Sequence, residues 1–243
     1  MASSEHVLWV IGGGSGMGRA TAVAAGTSGR TVVVSGRRAD RLAEAVLAIE
    51  AAGGTALALP GDATDAAWSA DAVATVLDRF GRLDEVVLAA GLNEPRRRWD
   101  DQSMRGFEAV VATNLIGTAR GIDAALPALR VRGGTVVVIS SYAGWTFSPG
   151  AGVAYSASKS ALAALCRSLN QQEGAHGIRA THLCPGDVDT EFLAQRPQVP
   201  DADARAVMLT PEDVARSVLH VVDAPAHVRI DELVISPLSQ RSF

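Results

Sequence analysis

Several features that define other kinds of protein are scarce in this chain. Cysteine occurs only at Cys166 and Cys184, in apolar surroundings, which disfavours a disulfide framework or a thiolate metal site and suits a reducing cytoplasm. Lys and Arg number 22 against 26 Asp and Glu, so the net charge of −4 disfavours a nucleic-acid partner. No apolar run approaches the roughly 18 residues of a membrane span, and no basic segment precedes the first apolar run as in a signal peptide. We therefore expect neither a nucleic-acid nor a membrane partner.

The 243 residues, 48% of them hydrophobic, are enough for one large folded domain covering residues 1–243. No repeat or Pro/Ser-rich linker divides them; instead, short β-branched runs alternate with Ala/Leu-rich helical patterns. The predicted strands are residues 7–11, 31–35, 55–59, 85–89, 135–140, 178–183 and 230–235. The predicted helices are residues 16–28, 39–52, 65–80, 102–129, 152–174 and 211–222.

This alternation predicts the fold class. Strand runs that are apolar on both faces are typical of buried parallel strands. Parallel strands that alternate with helices predict an α/β fold, a Rossmann-type doubly wound sheet of about seven strands with helices on both faces. Ligands of such sheets bind beyond the carboxyl ends of the strands, so functional residues should follow the predicted strands.

A glycine-rich loop follows the first predicted strand and opens the first predicted helix. It reads Gly12-Gly13-Gly14-Ser15-Gly16-Met17-Gly18, a G-x-x-x-G-x-G spacing. Small residues let the backbone approach a pyrophosphate, and the helix start offers free N–H groups. A tight turn is the simpler interpretation of a glycine cluster, but the flanking strand and helix favour a dinucleotide site.

The second predicted strand ends at Ser35-Gly36-Arg37-Arg38, where the choice between NAD and NADP is usually made. NAD-binding units carry an acidic residue about 20 residues after the glycines, and Gly36 occupies that position here. Arg37 and Arg38 can pair with a 2′-phosphate. The alternative is that both arginines are solvated, with Asp40 belonging to the next helix. We favour NADP(H), with NAD(H) possible.

Asp62 follows the third predicted strand in Gly61-Asp62-Ala63-Thr64-Asp65. Its carboxylate can accept a hydrogen bond from the adenine amino group or from a backbone N–H. Thr64 or Asp65 can cap the following helix. The two interpretations are compatible.

Tyr155 and Lys159 lie four residues apart in a predicted helix and therefore share one face. An ammonium group beside a phenol lowers the pKa of the phenol, and a phenol that titrates near the working pH can exchange a proton with a carbonyl or alcohol oxygen. Such a pair alone is more often a surface contact.

Other polar residues supply a context for this pair. Ser140 and Ser141 end the fifth predicted strand, and Asn114 interrupts an otherwise apolar helical stretch. Pro185-Gly186-Asp187-Val188-Asp189-Thr190 follows the sixth strand, where the turn can shape a nicotinamide pocket and Thr190 can bond its carboxamide.

Together these motifs resemble the short-chain dehydrogenase/reductase family in its core form of about 250 residues, over essentially the whole chain. The resemblance implies that Tyr155 is the general acid/base, that Lys159 lowers its pKa and holds the nicotinamide ribose, that Ser141 orients the substrate oxygen, and that Asn114 holds a proton-relay water. Ser140 and Ser141 can exchange roles. The implied cofactor contacts are Gly12, Ser15, Gly16, Met17, Gly18, Arg37, Arg38, Asp62, Ala90, Gly91, Tyr155, Lys159, Pro185, Gly186, Val188 and Thr190.

Three loops are expected to set specificity: residues 92–100, 142–153 and 191–209, the last as a mobile lid. Arg96, Arg97 and Arg98 can attract an anionic substrate, although a solvated loop is the simpler interpretation. Tyr142, Trp145 and Phe147 can wall an apolar pocket or serve packing. His176, His182, His220 and His227 show no ligand spacing with carboxylates, so no catalytic metal is predicted.

The predicted activity is interconversion of a ketone and a secondary alcohol by hydride transfer with NADP(H). One alternative is a 3-oxoacyl thioester reductase of fatty-acid or polyketide type. Another is a catalytically silent nucleotide-binding sensor or scaffold, which the intact Ser141, Tyr155 and Lys159 disfavour. The resemblance also implies a homotetramer or homodimer built on helices 102–129 and 152–174, to which the tail 236–243 can add contacts.

Overall fold

A computed structural model describes residues 6–240, and these form the predicted fold, a parallel seven-stranded sheet with helices on both faces. Residues 241–243, the end of the tail expected to add subunit contacts, lie outside the described range. The strands are β1 (Val7–Ile11), β2 (Thr31–Gly36), β3 (Thr55–Pro60), β4 (Glu85–Leu88), β5 (Gly134–Ile139), β6 (Ile178–Pro185) and β7 (Glu232–Ile235). Their order in the sheet is β3-β2-β1-β4-β5-β6-β7.

The helices that the sequence predicted begin and end within two residues of their predicted bounds, and two short helices, Tyr142–Trp145 and Ala202–Ala206, were not predicted. They are α1 (Gly16–Thr27), α2 (Ala39–Ala51), α3 (Ala66–Phe80), α4 (Met104–Val111), α5 (Gly117–Leu129), α6 (Tyr142–Trp145), α7 (Val153–Glu173), α8 (Ala202–Ala206) and α9 (Pro211–Val222). The predicted helical stretch 102–129 is helical from Met104 to Leu129, with a π-helical segment, Ala112–Ile116, between α4 and α5. Among residues 6–240, no helix combines the length and apolarity needed to cross a membrane.

The strand alternation divides the core between the two faces of the sheet. Along β1, Trp9 points toward the layer that contains α3, α5 and α7, whereas Leu8 and Val10 pack against α1, α2 and α9. All five residues of β1 are buried. The indole of Trp9 donates a hydrogen bond of 2.8 Å to the Ser35 hydroxyl on β2, which satisfies its buried N–H.

The strand order reverses between β1 and β4, because the chain builds β2 and β3 on one side and then returns to build β4 to β7 on the other. The loops that follow β1 and β4 therefore diverge and leave a crevice at the carboxyl edge of the sheet. The residues predicted to be functional follow β1, β2, β3, β4, β5 and β6 at this edge.

Candidate active site

A cleft of about 1420 Å³ opens at the carboxyl edge of the sheet. This volume exceeds the roughly 300–1000 Å³ that is usual for one small ligand, so the cleft has room for a large cofactor and a substrate. Every residue predicted to contact the cofactor lines it, as do Ser141, Tyr155 and Lys159. Asn114 does not line the cleft; it is fully buried behind it.

Two glycines of the loop, Gly12 and Gly18, lie where no side chain would fit. Gly12 has φ +90°, and a Cβ on it would lie 2.5 Å from the backbone nitrogen of Ala90. A Cβ on Gly18 would lie 2.2 Å from the carbonyl oxygen of Gly12. The Ser15 hydroxyl accepts a hydrogen bond from Arg38 at 3.2 Å and does not cap α1. The loop therefore presents bare backbone and the start of α1 to the cleft, a fit for a pyrophosphate.

Three arginines surround the end of the cleft beyond β2. Arg37, Arg38 and Arg41 all line it, and the side chains of Arg38 and Arg41 lie 3.9 and 3.5 Å from the Glu191 carboxylate. Sequence reasoning missed Arg41, although its place in the first turn of the helix after Arg37 and Arg38 was a signal. The end beyond β2 is therefore cationic, with one carboxylate reaching it from the loop after β6.

Asp62 and Asp65 divide the two roles that the sequence left open. The Asp62 carboxylate accepts hydrogen bonds from the backbone N–H and the hydroxyl of Thr64, each 2.8 Å, and the backbone bond lowers its pKa. Asp65 caps α3 by accepting from Ala67 and Trp68. Asp62 is therefore held by its own turn at the wall of the cleft, leaving the capping to Asp65.

The two serines that follow β5 point in different directions. Ser140 is 3% exposed, and its hydroxyl donates to the Lys159 carbonyl at 3.3 Å. The Ser141 hydroxyl lies beside Tyr155, where it acts to lower the pKa of the phenol, and it accepts from the Ala143 N–H at 3.2 Å. Ser141 is thus the serine that pairs with Tyr155.

Lys159 and Tyr155 share the same face of α7, as predicted from their spacing. The Lys159 ammonium lies 5.8 Å from the centroid of the Tyr155 ring and donates to the Ile139 carbonyl at 3.0 Å. Burial lowers the pKa of Lys159 to about 8.

The pKa of Tyr155 departs from the sequence-based expectation in this geometry. Burial raises it, and this outweighs the lowering by the Ser141 hydrogen bond and by the charges of Arg97 and Arg196. The expectation was a lowering by Lys159. The two arginines replace Lys159 as the charges that favour the phenolate, because Lys159 is directed toward the end of β5.

Asn114 joins three elements at the back of the site. Its amide oxygen accepts from the Leu92 N–H at 2.7 Å, and its amide nitrogen donates to the Leu92 carbonyl and the Ser158 hydroxyl, each at 3.0 Å. The π-helical segment that carries Asn114 is of a type frequently found at functional sites. Asn114 thereby fixes the chain after β4 against α7, the helix of Tyr155.

The aromatic residues of the predicted substrate loops divide between two cavities. Tyr142 lines the main cleft, whereas Phe147 lines a second cavity of about 510 Å³ together with Trp99. Trp145 lines neither and stacks edge-on against Tyr142 at 5.2 Å between centroids. Phe192, which sequence reasoning did not single out, lies 6.0 Å from the Tyr155 ring. Its position two residues after Thr190 was the only signal.

The three consecutive arginines differ in burial. Arg96 and Arg98 are exposed, in agreement with a solvated loop. Arg97 is only 9% exposed and lines the main cleft, so the simpler interpretation was wrong at this position. A side chain that is apolar along its length can bury its stem while its guanidinium binds carbonyl groups.

The prediction that His182 has no carboxylate neighbour was also wrong. Its Nδ1 lies 3.0 Å from the Glu232 carboxylate and 3.3 Å from the Cys184 thiol. The pairing of β6 with β7 places His182 opposite Glu232, a contact that local spacing does not reveal. The absence of a catalytic metal stays a prediction.

Comparison with known proteins gives consistent matches. A family model described as short chain dehydrogenase matches residues 6–200. An oxidoreductase of Staphylococcus haemolyticus is 31% identical over 96% of this chain and 97% of its own. An alcohol dehydrogenase of Thermococcus sibiricus complexed with 5-hydroxy-NADP is 29% identical, with a TM-score of 0.88 and coverage of 98% and 99%. A short chain dehydrogenase of Mycobacterium paratuberculosis bound to NAD is 27% identical, with a TM-score of 0.84 and coverage of 97% of each chain.

Proposed function

This chain belongs to the short-chain dehydrogenase family, and we propose that it interconverts a ketone and a secondary alcohol with a preference for NADP(H). One observation carries the proposal: Tyr155, Ser141 and Lys159 line the same cleft as the glycine loop. This arrangement holds a proton donor beside an orienting hydroxyl where a dinucleotide and a small carbonyl compound can both enter. The reaction class follows from that pairing of groups.

In the proposed reaction each side chain has one task. The bound cofactor supplies the hydride chemistry, and the protein supplies proton transfer and orientation. Tyr155 gives a proton to the carbonyl oxygen in reduction and takes it back in oxidation. Ser141 donates to the same oxygen and keeps the substrate in line. Lys159 would hold the ribose of the cofactor, while the charges of Arg97 and Arg196 favour the tyrosinate that remains after proton transfer.

Asn114 acts one layer behind these groups. The family resemblance assigns it a proton-relay water, and its hydrogen bonds to Leu92 and Ser158 add a positioning role. Because Ser158 lies next to Lys159, Asn114 limits the movement of the turn of α7 that carries Lys159. We propose that it keeps the spacing between the loop after β4 and the reacting groups.

The preference for NADP(H) is supported by charge. Arg37, Arg38 and Arg41 line the end of the cleft beyond β2, where a 2′-phosphate would lie, and Gly36 stands where a carboxylate would repel it. A guanidinium can bind phosphate through two parallel hydrogen bonds. The similar structures carry NAD in one case and an NADP derivative in the other, so the fold accommodates both cofactors.

The proposal is tested with Tyr155→Phe. We expect this variant to lose at least about a hundredfold in kcat for NADPH-dependent reduction of a panel of ketones, because a positioned acid/base contributes roughly 10²–10⁴-fold. We expect NADPH binding, measured by calorimetry, to stay within about threefold of the unaltered protein, which also shows an intact fold. Turnover retained in Tyr155→Phe would rule out the mechanism.

A further inference from the structure

Arg97 connects all three of the loops expected to set specificity. Its Nε donates to the Glu94 carbonyl at 2.7 Å within its own loop. One terminal nitrogen donates to the Gly150 carbonyl at 3.1 Å in the loop after β5, and the other donates to the Gln195 carbonyl at 2.8 Å in the loop after β6. Gly152, at φ +95°, lies against the stem of Arg97, where a Cβ would approach within 2.7 Å. The guanidinium is therefore held rigidly.

The charge of this guanidinium is not neutralised within the described residues. No Asp or Glu of residues 6–240 forms an ion pair with Arg97, whereas Arg98 pairs with Asp100 at 3.3 Å and Arg196 pairs with Asp187. The carboxylate of Glu94, the nearest acidic residue along the chain, is directed instead toward Gly106 at the start of α4. A buried cation without a counter-ion is costly, which indicates a use for it.

The side chain of Arg97 lies at the cleft that contains the reacting groups. It lines the same cleft as Tyr155 and Ser141, and its charge acts to lower the pKa of the Tyr155 phenol. Of its five N–H donors, three bind the carbonyl groups named above, which leaves two. A fixed cation with two spare donors therefore lies at the same cleft as the proton donor.

We propose that Arg97 determines substrate specificity by binding a carboxylate that the substrate carries close to its carbonyl or hydroxyl carbon. This inference rests on the proposed function, because it names the substrate class of that site: oxo acids and hydroxy acids. A guanidinium matches a carboxylate in both charge and planar geometry. Acyl thioesters on a phosphopantetheine arm fit less well, because their anionic phosphate lies at the far end of the arm from the reacting carbonyl.

The test compares two substrates that differ by one charge. We would measure NADP+-dependent oxidation of 3-hydroxybutanoate and of its methyl ester. We expect kcat/KM to favour the acid by between about tenfold and a hundredfold, the range for one hydrogen bond to a charged group. Arg97→Gln should abolish this preference through loss on the acid. Arg97→Lys, which keeps the charge but not the three carbonyl bonds, should keep the preference even where kcat falls for both substrates.

Arg98→Gln serves as the matched control, because it removes a neighbouring exposed arginine of the same loop. We expect it to leave the acid-to-ester ratio within about twofold. An ester oxidised as well as the acid by the unaltered protein would overturn the proposal. So would an equal loss on both substrates in Arg97→Gln, since Arg97 would then only fasten the loops.

A binding measurement separates this proposal from the proposed function. We would titrate butanoate and butanamide into the protein saturated with NADP+ by calorimetry. Tighter binding of butanoate, lost in Arg97→Gln and kept in Arg98→Gln, supports the carboxylate site even if neither hydroxy compound is oxidised, an outcome that would count against the activity alone. Equal binding of the two probes would overturn the carboxylate site whatever the activity.

Discussion

At the scale of single residues, Lys159 is chemically distinct from every other basic residue of the chain. It is the single lysine among 22 Lys and Arg residues. It is 4% exposed, and burial brings its pKa to about 8. An arginine would stay charged under the same burial, whereas a lysine can lose its proton. Among the Lys and Arg residues, the position thus uses the one side chain that can lose its proton, at some expense in stability.

We therefore expect Lys159→Met to stabilise the cofactor-free protein at pH 7. The pKa of Lys159 in the folded state, about 8, lies below its ordinary 10.5, so the unfolded chain binds the proton more strongly. The resulting penalty, about 3 kcal/mol, is complete below pH 8 and fades as pH rises toward 10.5. Loss of the bond to the Ile139 carbonyl offsets part of it. We expect a net gain of about 2 kcal/mol in the free energy of unfolding at pH 7, mostly gone at pH 10.

Urea unfolding at the two pH values measures this effect. Arg98→Met is the control, because it removes an exposed cation and should show no change between pH 7 and pH 10 relative to the unaltered protein. A Lys159→Met variant that is less stable at pH 7 would show that the buried ammonium is better solvated than its surroundings indicate.

At the scale of elements, the π-helical segment between α4 and α5 is the feature that the helical pattern did not predict. Ser103 caps α4 by accepting from the Gly106 N–H at 3.0 Å, and the Thr118 hydroxyl bonds the Asn114 carbonyl at 2.8 Å within the widened turn. The π-helical turn points the Asn114 amide away from its own helices and toward Leu92. The Asn114 side chain thereby hydrogen-bonds both the N–H and the carbonyl of Leu92, the first residue of the loop 92–100.

Asn114→Ala should destabilise the protein by about 2 kcal/mol, because it leaves the N–H and the carbonyl of Leu92 without their partner. Thr118→Val is the control, since it removes only the hydroxyl that bonds the Asn114 carbonyl, and its cost should stay near 1 kcal/mol. Urea unfolding with an unchanged m-value measures both. Equal costs in the two variants would show that water replaces Asn114 at Leu92.

At the scale of the whole molecule, the two halves of the sheet meet across the cofactor cleft. The arginines after β2 belong to one half, and Glu191, which follows β6, belongs to the other. Glu191 lies 3.5 Å from Arg41 and 3.9 Å from Arg38. Two backbone hydrogen bonds join the ends of the loop that carries Glu191. The Leu209 N–H donates to the Asp187 carbonyl, and the Asp189 N–H donates to the Leu209 carbonyl. A phosphate entering near the arginines competes with this carboxylate.

We expect the protein to bind NADPH more tightly than NADH in calorimetry, and Glu191→Gln to increase NADPH affinity by about two- to fivefold without changing NADH affinity. The increase is small because ion pairs between exposed groups contribute little. Glu44→Gln is the matched control, since Glu44 pairs with Arg41 at 3.3 Å but does not line the cleft. Equal binding of NADPH and NADH would indicate that the arginines are solvated.

The sequence by itself determined whatever depends on local periodicity and short spacing. Strand and helix positions, the glycine loop after β1, and the shared face of Tyr155 and Lys159 follow from patterns within a few residues, where backbone geometry leaves few choices. The seven parallel strands follow from the alternation of these elements, because few connections are sterically allowed. From these features alone, the position of the cleft at the carboxyl edge of the sheet can be predicted.

Only the tertiary structure decided contacts between groups distant along the chain. In the sequence, Arg97 is one of three similar arginines. Only the structure shows that it binds the carbonyl groups of Gly150 and Gln195. His182 meets Glu232 only through the pairing of β6 with β7. The choice between Ser140 and Ser141 depended on which one faces Tyr155. Burial and neighbouring charges depend on the folded surroundings of a residue. They shift the pKa values of Tyr155 and Lys159, but no short stretch of the sequence shows them.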